Sequence, residues 1–153
     1  MSEELSLQDK ITIIKKLTDV LLKLPDSFSL DNGWNKRDLL LHLWTWDMEY
    51  IRLCTSKLAN KLKKFLFEYE TLNMTYSSWN DYNIEKHYEL DFEEIKTRFQ
   101  ESRGKLIILF ENLINIPEIE ATKECFLTKR ILDMYQHDKM HLEAGGVAIY
   151  LNE

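Results

Sequence analysis

The chain has 153 residues, of which 44% are hydrophobic and 30% are charged, so it is long enough for one compact domain over 1–153 and too short for two ordinary ones. Four glycines and two prolines argue against a turn-rich β architecture and favour an all-α fold. The net charge of −6 does not attract phosphate backbones, and the basic stretch from Lys57 to Lys64 lies where a helix is expected to end, so we expect no nucleic-acid partner.

The sequence carries no signal for export or membrane insertion. Acidic residues stand at its start, where a signal peptide would be basic, and no apolar run approaches the length of a membrane span. Cys54 and Cys125 are too far apart for a disulfide framework or a two-cysteine metal knuckle, and both fall in helical patterns. We therefore expect a cytoplasmic protein with reduced thiols and no membrane partner.

Apolar residues at helical spacing predict two helices in the first half of the chain. Helix one covers about 7–24, with Ser6 as its N-cap and Pro25 at its end. Helix two covers about 35–61 and has a wide apolar face. That wide face predicts a central position in the fold.

Two further helices are predicted in the second half. Helix three begins at Asp91, which forms a capping-box pattern with Glu94, and continues until Pro117. Helix four covers about 122–145, after which paired glycines loosen or end it. Half of the four histidines lie on this last helix.

The connection between helices two and three is long. It spans roughly thirty residues, enough for a crossover along a bundle that lets these two helices run parallel. A structureless loop of that length is unusual in a compact domain, so we expect helical turns around 62–69 and again near Trp79.

The histidines form the most informative pattern. His137 and His141 are one helical turn apart, so both imidazoles project from one face of helix four. His42 lies on the inward flank of helix two and is the candidate third ligand, whereas His87 in the crossover is expected at the surface. For any one of these residues alone, a hydrogen-bonded, partly buried histidine is the better interpretation, so the metal site depends on all three together.

Four segments of the chain carry a family resemblance: Trp34–Leu43 with Trp46 and Asp47, Trp79–Asn83, Phe99–Arg103 and His137–Leu142. The first contains a tryptophan, a helix start and a histidine within an apolar stretch, and the last contains the sequence His-Asp-x-x-His. These two resemble the first signature and the closing helix of the DinB-like superfamily. The two middle segments are similar in particular to the ClbS/DfsB group, which includes the colibactin self-resistance hydrolase.

The resemblance implies a DinB-like four-helix bundle with up-down-down-up topology and, in many members, a homodimer. It also implies a three-histidine site for nickel, zinc or iron, here His42, His137 and His141. Relatives include thiol-dependent isomerases and transferases and metal-dependent hydrolases, so a low-molecular-weight thiol is a further expected cofactor. ClbS-type proteins do not uniformly keep the three histidines, so the metal site and that group's hydrolase activity are separate expectations.

Other residues are candidates for catalysis or ligand binding. Three neutral imidazoles leave coordination positions open for water, a thiolate or a substrate oxygen. Glu49, seven residues after His42, returns to nearly the same helical face and is either a general base or hydrogen-bond acceptor for the site, or a solvated glutamate. Trp46 and Trp79 are interpreted either as walls of a substrate pocket or as core.

Arg103 and Asp138 are two charges on faces that are otherwise apolar. Helical counting places both inward, and an isolated buried charge is costly, so we expect them to pair. Asp138 would then also anchor the metal helix or orient the imidazole of His137 next to it, and it is the second candidate catalytic carboxylate besides Glu49. In the rival interpretation, Arg103 faces the cavity and binds a substrate carboxylate.

Three functions remain open at this point. The first is a metal-dependent enzyme, a hydrolase or thiol-dependent transferase, that acts on a small molecule in detoxification or self-resistance. The second is a non-enzymatic protein that binds or sequesters a small molecule, and the third is a purely structural dimer.

Overall fold

The computed structural model describes residues 6–58, 66–114 and 126–147, with side chains described outside 56–58 and 126–133. The described ranges form an all-α fold in which the only strand-like pairing is an isolated bridge between Ser29 and Asn35. The helices are α1 (Leu7–Leu22), α2 (Lys36–Leu58), α3 (Glu68–Thr71), α4 (Tyr76–Lys86), α5 (Phe92–Ile114) and α6 (Phe126–Ala144).

The helix starts follow the predicted capping residues. Ser6 Oγ accepts a hydrogen bond from the backbone N–H of Asp9 at 3.0 Å, and the Asp9 carboxylate accepts from the Ser6 N–H at 3.3 Å. This capping box confirms Ser6 as the N-cap of α1. At the start of α5, Asp91 Oδ1 accepts from the Glu94 N–H at 2.9 Å. Both caps satisfy backbone donors that have no partner inside the helix.

The helices α2 and α5 run in the same direction. The Lys36 ammonium, at the start of α2, lies 4.1 Å from the ring centre of Phe92, at the start of α5. Further along both helices, Arg103 Nε donates to Asp47 Oδ2 at 2.7 Å. Because contacts follow the same order along both helices, the two are parallel, as the long crossover predicted.

The buried apolar side chains form two clusters along the long helices. Along α5 the second cluster ends at Phe99 and the first cluster begins at Leu106. Arg103 lies in the stretch between them. The first cluster consists of Ile11, Ile14, Ile51, Cys54, Leu106, Ile107, Phe110, Leu113, Ile114 and Met134. The second consists of Leu17, Leu21, Leu24, Phe28, Leu39, Leu40, Leu41, Leu43, Ile95, Phe99 and Leu142.

The crossover contains the two short helices and packs onto α2. Trp79 of α4 is buried, and its ring centre lies 4.9 Å from that of Trp46 on α2. Trp46 Nε1 also donates to Asn80 Oδ1 at 2.7 Å. The helix predicted near Trp79 is therefore confirmed, and α3 covers 68–71, while residues 59–65 lie outside the description.

Glycines end α6 as predicted. A Cβ atom on Gly145 would lie 2.0 Å from Cε2 of Phe28, so the close approach of these two segments requires glycine. Gly146 has a φ of +77°, in the left-handed region that favours glycine. The Val147 N–H then donates to the Leu142 carbonyl at 2.9 Å and closes the end of the helix.

The remaining predictions on the fold concern the cysteines, the end of helix three, the basic stretch and a membrane span. Cys54 is a buried core thiol, and burial raises its pKa to about 12. Cys125, Pro117 and the side chains of the Lys57–Lys64 stretch lie outside the described part of the chain. Among the helices that are described, none combines the length and the apolar character that crossing a bilayer requires.

Candidate metal centre

Three histidines from two helices converge on one point. His42 projects from α2, and His137 and His141 project from successive turns of α6. The Nε2 atoms of His42 and His137 are 3.2 Å apart, and those of His137 and His141 are 2.9 Å apart. All three candidate ligand atoms lie within 4.8 Å of one another. The convergence predicted from helical spacing is thus present.

The donor set fits a divalent first-row metal ion. Zinc–nitrogen bonds of about 2.0–2.1 Å with tetrahedral angles place two ligand nitrogens about 3.3 Å apart. The observed Nε2 separations of 2.9 and 3.2 Å are close to that spacing. Three imidazoles, with no fourth protein ligand beside them in the described ranges, match the composition of sites that keep an open coordination position.

Burial keeps these imidazoles in the neutral form that binds metal. It lowers the pKa of His137 to about 4, with the positive charge of Arg103 acting in the same direction. Burial, with His137 nearby, also lowers the pKa of His141 to about 4. The pKa of His42 is likewise well below its ordinary value, mainly because of burial. At neutral pH the rings therefore carry no positive charge that would oppose the binding of a metal ion.

The imidazole of His42 packs against Trp34, and one of its two nitrogens lacks a hydrogen-bond partner in the described part of the chain. Its ring centre lies 4.9 Å from that of Trp34, and its Nδ1 atom is buried without a hydrogen-bond partner among the described residues. Metal-binding imidazoles usually donate from the second nitrogen to a carboxylate, a carbonyl or water. The structure shows no such acceptor for His42 in the described ranges.

A cavity of about 870 Å³ opens beside the three histidines. Its remaining lining is largely aromatic, from Trp34, Trp46, Tyr50, Phe67, Tyr69 and Tyr76. The other lining residues are Asn32, Ser77, Asn80, Asp81, Gln136 and Met140. This volume lies within the range of small-molecule sites, roughly 300–1,000 Å³.

The two predicted pocket tryptophans have different positions. Trp46 lines the cavity, whereas Trp79 is only 2% exposed and lies behind Trp46. The indole Nε1 of Trp79 donates to Glu68 Oε1 at 3.3 Å. Trp79 therefore supports the cavity wall and does not form its surface. Of the two interpretations left open, the core one fits Trp79 and the pocket one fits Trp46.

Glu49 does not reach the histidines or the cavity. Its Oε1 accepts from the Glu68 backbone N–H at 2.5 Å and from Arg52 Nη2 at 2.9 Å. Helical counting placed Glu49 on the face of His42, but seven residues correspond to roughly 10 Å along a helix axis. The carboxylate consequently holds the start of α3, and the structure does not support its predicted role as general base or acceptor for an imidazole.

Arg103 and Asp138 form the expected buried pair. Arg103 Nη1 donates to Asp138 Oδ2 at 2.5 Å, and the two side chains are 1% and 0% exposed. The cavity lining includes neither residue. Arg103 as a ligand-binding residue and Asp138 as a catalytic one are therefore not supported, because their charged groups face each other in the core. The negative charge of Asp138 does act on His141, whose pKa it raises slightly against the dominant effect of burial.

The buried pair has a third member that the sequence interpretation missed. Asp47 of α2 accepts from Arg103 Nε at 2.7 Å and from Arg103 Nη2 at 3.2 Å. Burial raises the pKa of Asp47 to about 6, against the opposing effect of Arg103. Asp47 lies within about 20° of the line through Leu40 and Cys54 at 100° per residue. The counting that singled out Arg103 and Asp138 would also have found it.

His87 lies apart from the other histidines. It caps the end of α4, and its half-buried ring contacts Trp44 edge-on with 5.0 Å between ring centres. Its position outside the three-histidine set matches the prediction, although the ring is less exposed than expected.

The geometry thus combines an open three-nitrogen donor set with an adjoining aromatic cavity. Such an arrangement can hold a metal ion and bring a small molecule next to it. In comparisons with known proteins, no family model matches the chain, and no curated protein or solved structure shows significant similarity to it.

Proposed function

We propose that this chain is a DinB-like four-helix-bundle metalloprotein of the ClbS/DfsB kind, in which His42, His137 and His141 hold one zinc, nickel or iron ion. The cavity beside them takes a small-molecule substrate. The observation that carries the proposal is the meeting of three imidazole Nε2 atoms at the edge of a cavity. The activity proposed is metal-dependent hydrolysis or thiol-dependent transfer in detoxification or self-resistance.

A divalent metal in this site supplies Lewis-acid chemistry to water, a thiol or a substrate oxygen. The chain's own residues hold and orient the donor set. His137 and His141 are fixed relative to each other by one helical turn, and Trp34 packs against the ring of His42. Arg103 connects α6 to α2 through Asp138 and Asp47, so the buried ion cluster maintains the distance between the two ligand helices.

Binding without catalysis is the second candidate function. Glu49 and Asp138, the two carboxylates predicted to act in catalysis, both lie outside the cavity lining. A reaction in this cavity would therefore depend on the metal and the substrate for its acid–base chemistry, or on Asp81 at the cavity surface. A sequestering protein needs only the cavity.

Metal binding by matched histidine variants tests the proposal. Protein purified without a histidine tag should bind one equivalent of zinc, and His141→Ala should lower the affinity by more than about 100-fold because a ligand is lost. His87→Ala is the matched control, since His87 lies apart from the cluster, and should bind zinc like the unmodified protein. Equal affinity in both variants would rule out the three-histidine site.

Activity separates the enzyme from the binder. The zinc-, nickel- and iron-loaded proteins should be assayed with an activated ester, and with an electrophile in the presence of a low-molecular-weight thiol. Turnover that His141→Ala abolishes and His87→Ala retains supports the enzyme. A metal-loaded protein that binds small molecules with no turnover in either assay supports the binder.

A further inference from the structure

We propose that the part of the cavity away from the three histidines selects a flat aromatic group that is uncharged or positively charged, and discriminates against an anionic group at that place. The inference rests on the proposed function in that it takes this cavity as the substrate site. It concerns the part of the cavity away from the histidines, which is lined by other residues.

Four side chains form a continuous aromatic surface on this side, here called the aromatic wall: Trp46, Tyr50, Phe67 and Tyr69. The rings of Phe67 and Tyr69 are stacked, with 10° between their planes and 5.7 Å between their centres. The Trp46 ring centre lies 6.0 Å from Phe67, 5.9 Å from Tyr69 and 6.0 Å from Tyr50. All four are partly exposed and line the cavity.

The aromatic wall is supported from behind and is therefore preorganised. Trp79 packs edge-on against Trp46, and Asn80 accepts the hydrogen bond of the Trp46 indole. Glu49 binds the backbone N–H of Glu68, between the two wall residues of the α3 segment. Rings held in place in this way do not lose side-chain freedom when a ligand binds, which favours stacking by a flat partner.

The charges around the cavity favour an uncharged or cationic ligand. Among the described lining residues there is no lysine or arginine, and the one charged side chain is the carboxylate of Asp81. Aromatic faces attract cations and repel anions because their ring quadrupole is negative at the face. An anionic group in contact with the aromatic wall would be repelled by the ring faces and by the Asp81 carboxylate. No described lining residue carries a positive charge that would offset this repulsion.

Calorimetry with a matched set of naphthalene compounds tests this inference on the full chain, stripped of metal with a chelator or loaded with zinc. The set consists of 2-naphthalenemethanol, its saturated decahydro analogue, (2-naphthylmethyl)trimethylammonium and 2-naphthoate. With the stripped protein, the alcohol should bind about three- to tenfold more tightly than its saturated analogue because only the aromatic one stacks. The ammonium compound should bind at least as tightly as the alcohol, and naphthoate should bind most weakly.

Two pairs of variants assign the effects to residues. Trp46→Leu should weaken binding of the alcohol about three- to tenfold, whereas Trp44→Leu, two residues away and outside the cavity lining, should not change it. Asp81→Asn should weaken the ammonium compound about fivefold and leave the alcohol unchanged, since only the cation interacts with the carboxylate charge. Glu85→Gln on the same helix is the control. If Trp46→Leu does not fold, Phe67→Leu on the short α3 segment carries the same expectation.

Three outcomes would overturn the inference: naphthoate binding the stripped protein most tightly, the saturated and aromatic alcohols binding equally, or Trp46→Leu and Phe67→Leu both binding the alcohol normally. Zinc-loaded measurements separate this inference from the proposed function. If zinc does not bind while the naphthalene selectivity is present, the proposed metal function fails and the ligand class stands. If zinc binds to the three histidines but the selectivity is missing, the ligand class fails alone.

Discussion

Replacing Arg103 with methionine would leave Asp47 and Asp138 buried without the guanidinium that now lies between them. Arg103 is 1% exposed, and it donates to both carboxylates and to the Thr18 hydroxyl at distances from 2.5 to 3.3 Å. The two carboxylates outweigh the effect of burial and raise the pKa of Arg103, so the guanidinium stays charged. The cluster joins α1, α2, α5 and α6.

The magnitude of the loss follows from the carboxylates left behind. Removing one partner of a buried ion pair typically destabilises a protein by about 3–5 kcal/mol. Here one cation pairs with two carboxylates. Without it, each carboxylate can lose its charge by binding a proton, which costs about 4 kcal/mol per carboxylate at pH 7. We expect Arg103→Met to lower the free energy of unfolding by about 5 kcal/mol, close to the whole stability of a typical domain.

Urea denaturation at pH 7, followed by circular dichroism, measures this loss in a series of variants. The double variant Arg103→Met with Asp138→Leu should remain strongly destabilised, because Asp47 is still buried without a cation. Adding Asp47→Leu should recover most of the stability, since an apolar trio of similar volume removes every unpaired charge. If Asp138 were the only partner of Arg103, the double replacement would be sufficient.

A stable Arg103→Met protein would contradict this account of the core. A double variant as stable as the triple one would also contradict it, because Asp47 would then be stable in the core without Arg103. If the single variant does not fold at all, the triple variant still decides the matter: its failure to fold would show that shape, and not charge pairing, controls this position.

Three further predictions concern metal release, pH and assembly. If the histidines had ordinary pKa values, the metal would be released below about pH 6. Because the pKa values of His137 and His141 are about 4, we expect release between about pH 4 and 5. Metal analysis after dialysis at each pH measures this. In the metal-free folded protein, the pKa values of His137 and His141 lie below the value of about 6.5 for a histidine in the unfolded chain. The unfolded chain therefore binds more protons, and the free energy of unfolding should fall as the pH drops from 6.5 towards 4. Asp47, raised to about 6, acts in the opposite direction, but it is one group against three because burial also lowers the pKa of His42. Urea denaturation at pH 5 should therefore show at least about 2 kcal/mol less stability than at pH 7; equal stability would refute the shifts. The homodimer expected from the resemblance should double the 18.4 kDa chain mass in light scattering, and a monomeric mass would refute it.

Local patterns were sufficient to predict the helices and the common face of His137 and His141, whereas His42 was added with the help of the family resemblance. A capping residue such as Ser6 and an apolar repeat are encoded within a few neighbouring residues. His137 and His141 share a face because of helix geometry alone. His42 needed one additional assumption, that the inward side of α2 faces α6, and the structure meets it.

The rest of the site depends on contacts between distant segments. Phe67 and Tyr69 reach the cavity because α3 is held by Glu49, which lies 19 residues before Glu68. No local pattern in the crossover indicates that contact. Glu49 was misassigned because helical counting gives direction around the axis and not distance along it. The position of Trp79 stayed open because helical spacing does not distinguish a cavity surface from the layer behind it.

The separation of the histidines in the sequence connects metal binding to the folding of the whole chain. His42 and His137 are 95 positions apart, so an ion shared between them closes a loop that contains nearly all of α2 through α5. Closing a loop of that length costs an unfolded chain roughly 4 kcal/mol beyond a constant term. The ion therefore binds the native state in preference to the unfolded one and stabilises it by mass action. Because two of the three ligands lie on α6, local opening of that helix alone would release the ion. Amide hydrogen exchange along α6 should accordingly slow on metal addition towards the rate of global unfolding.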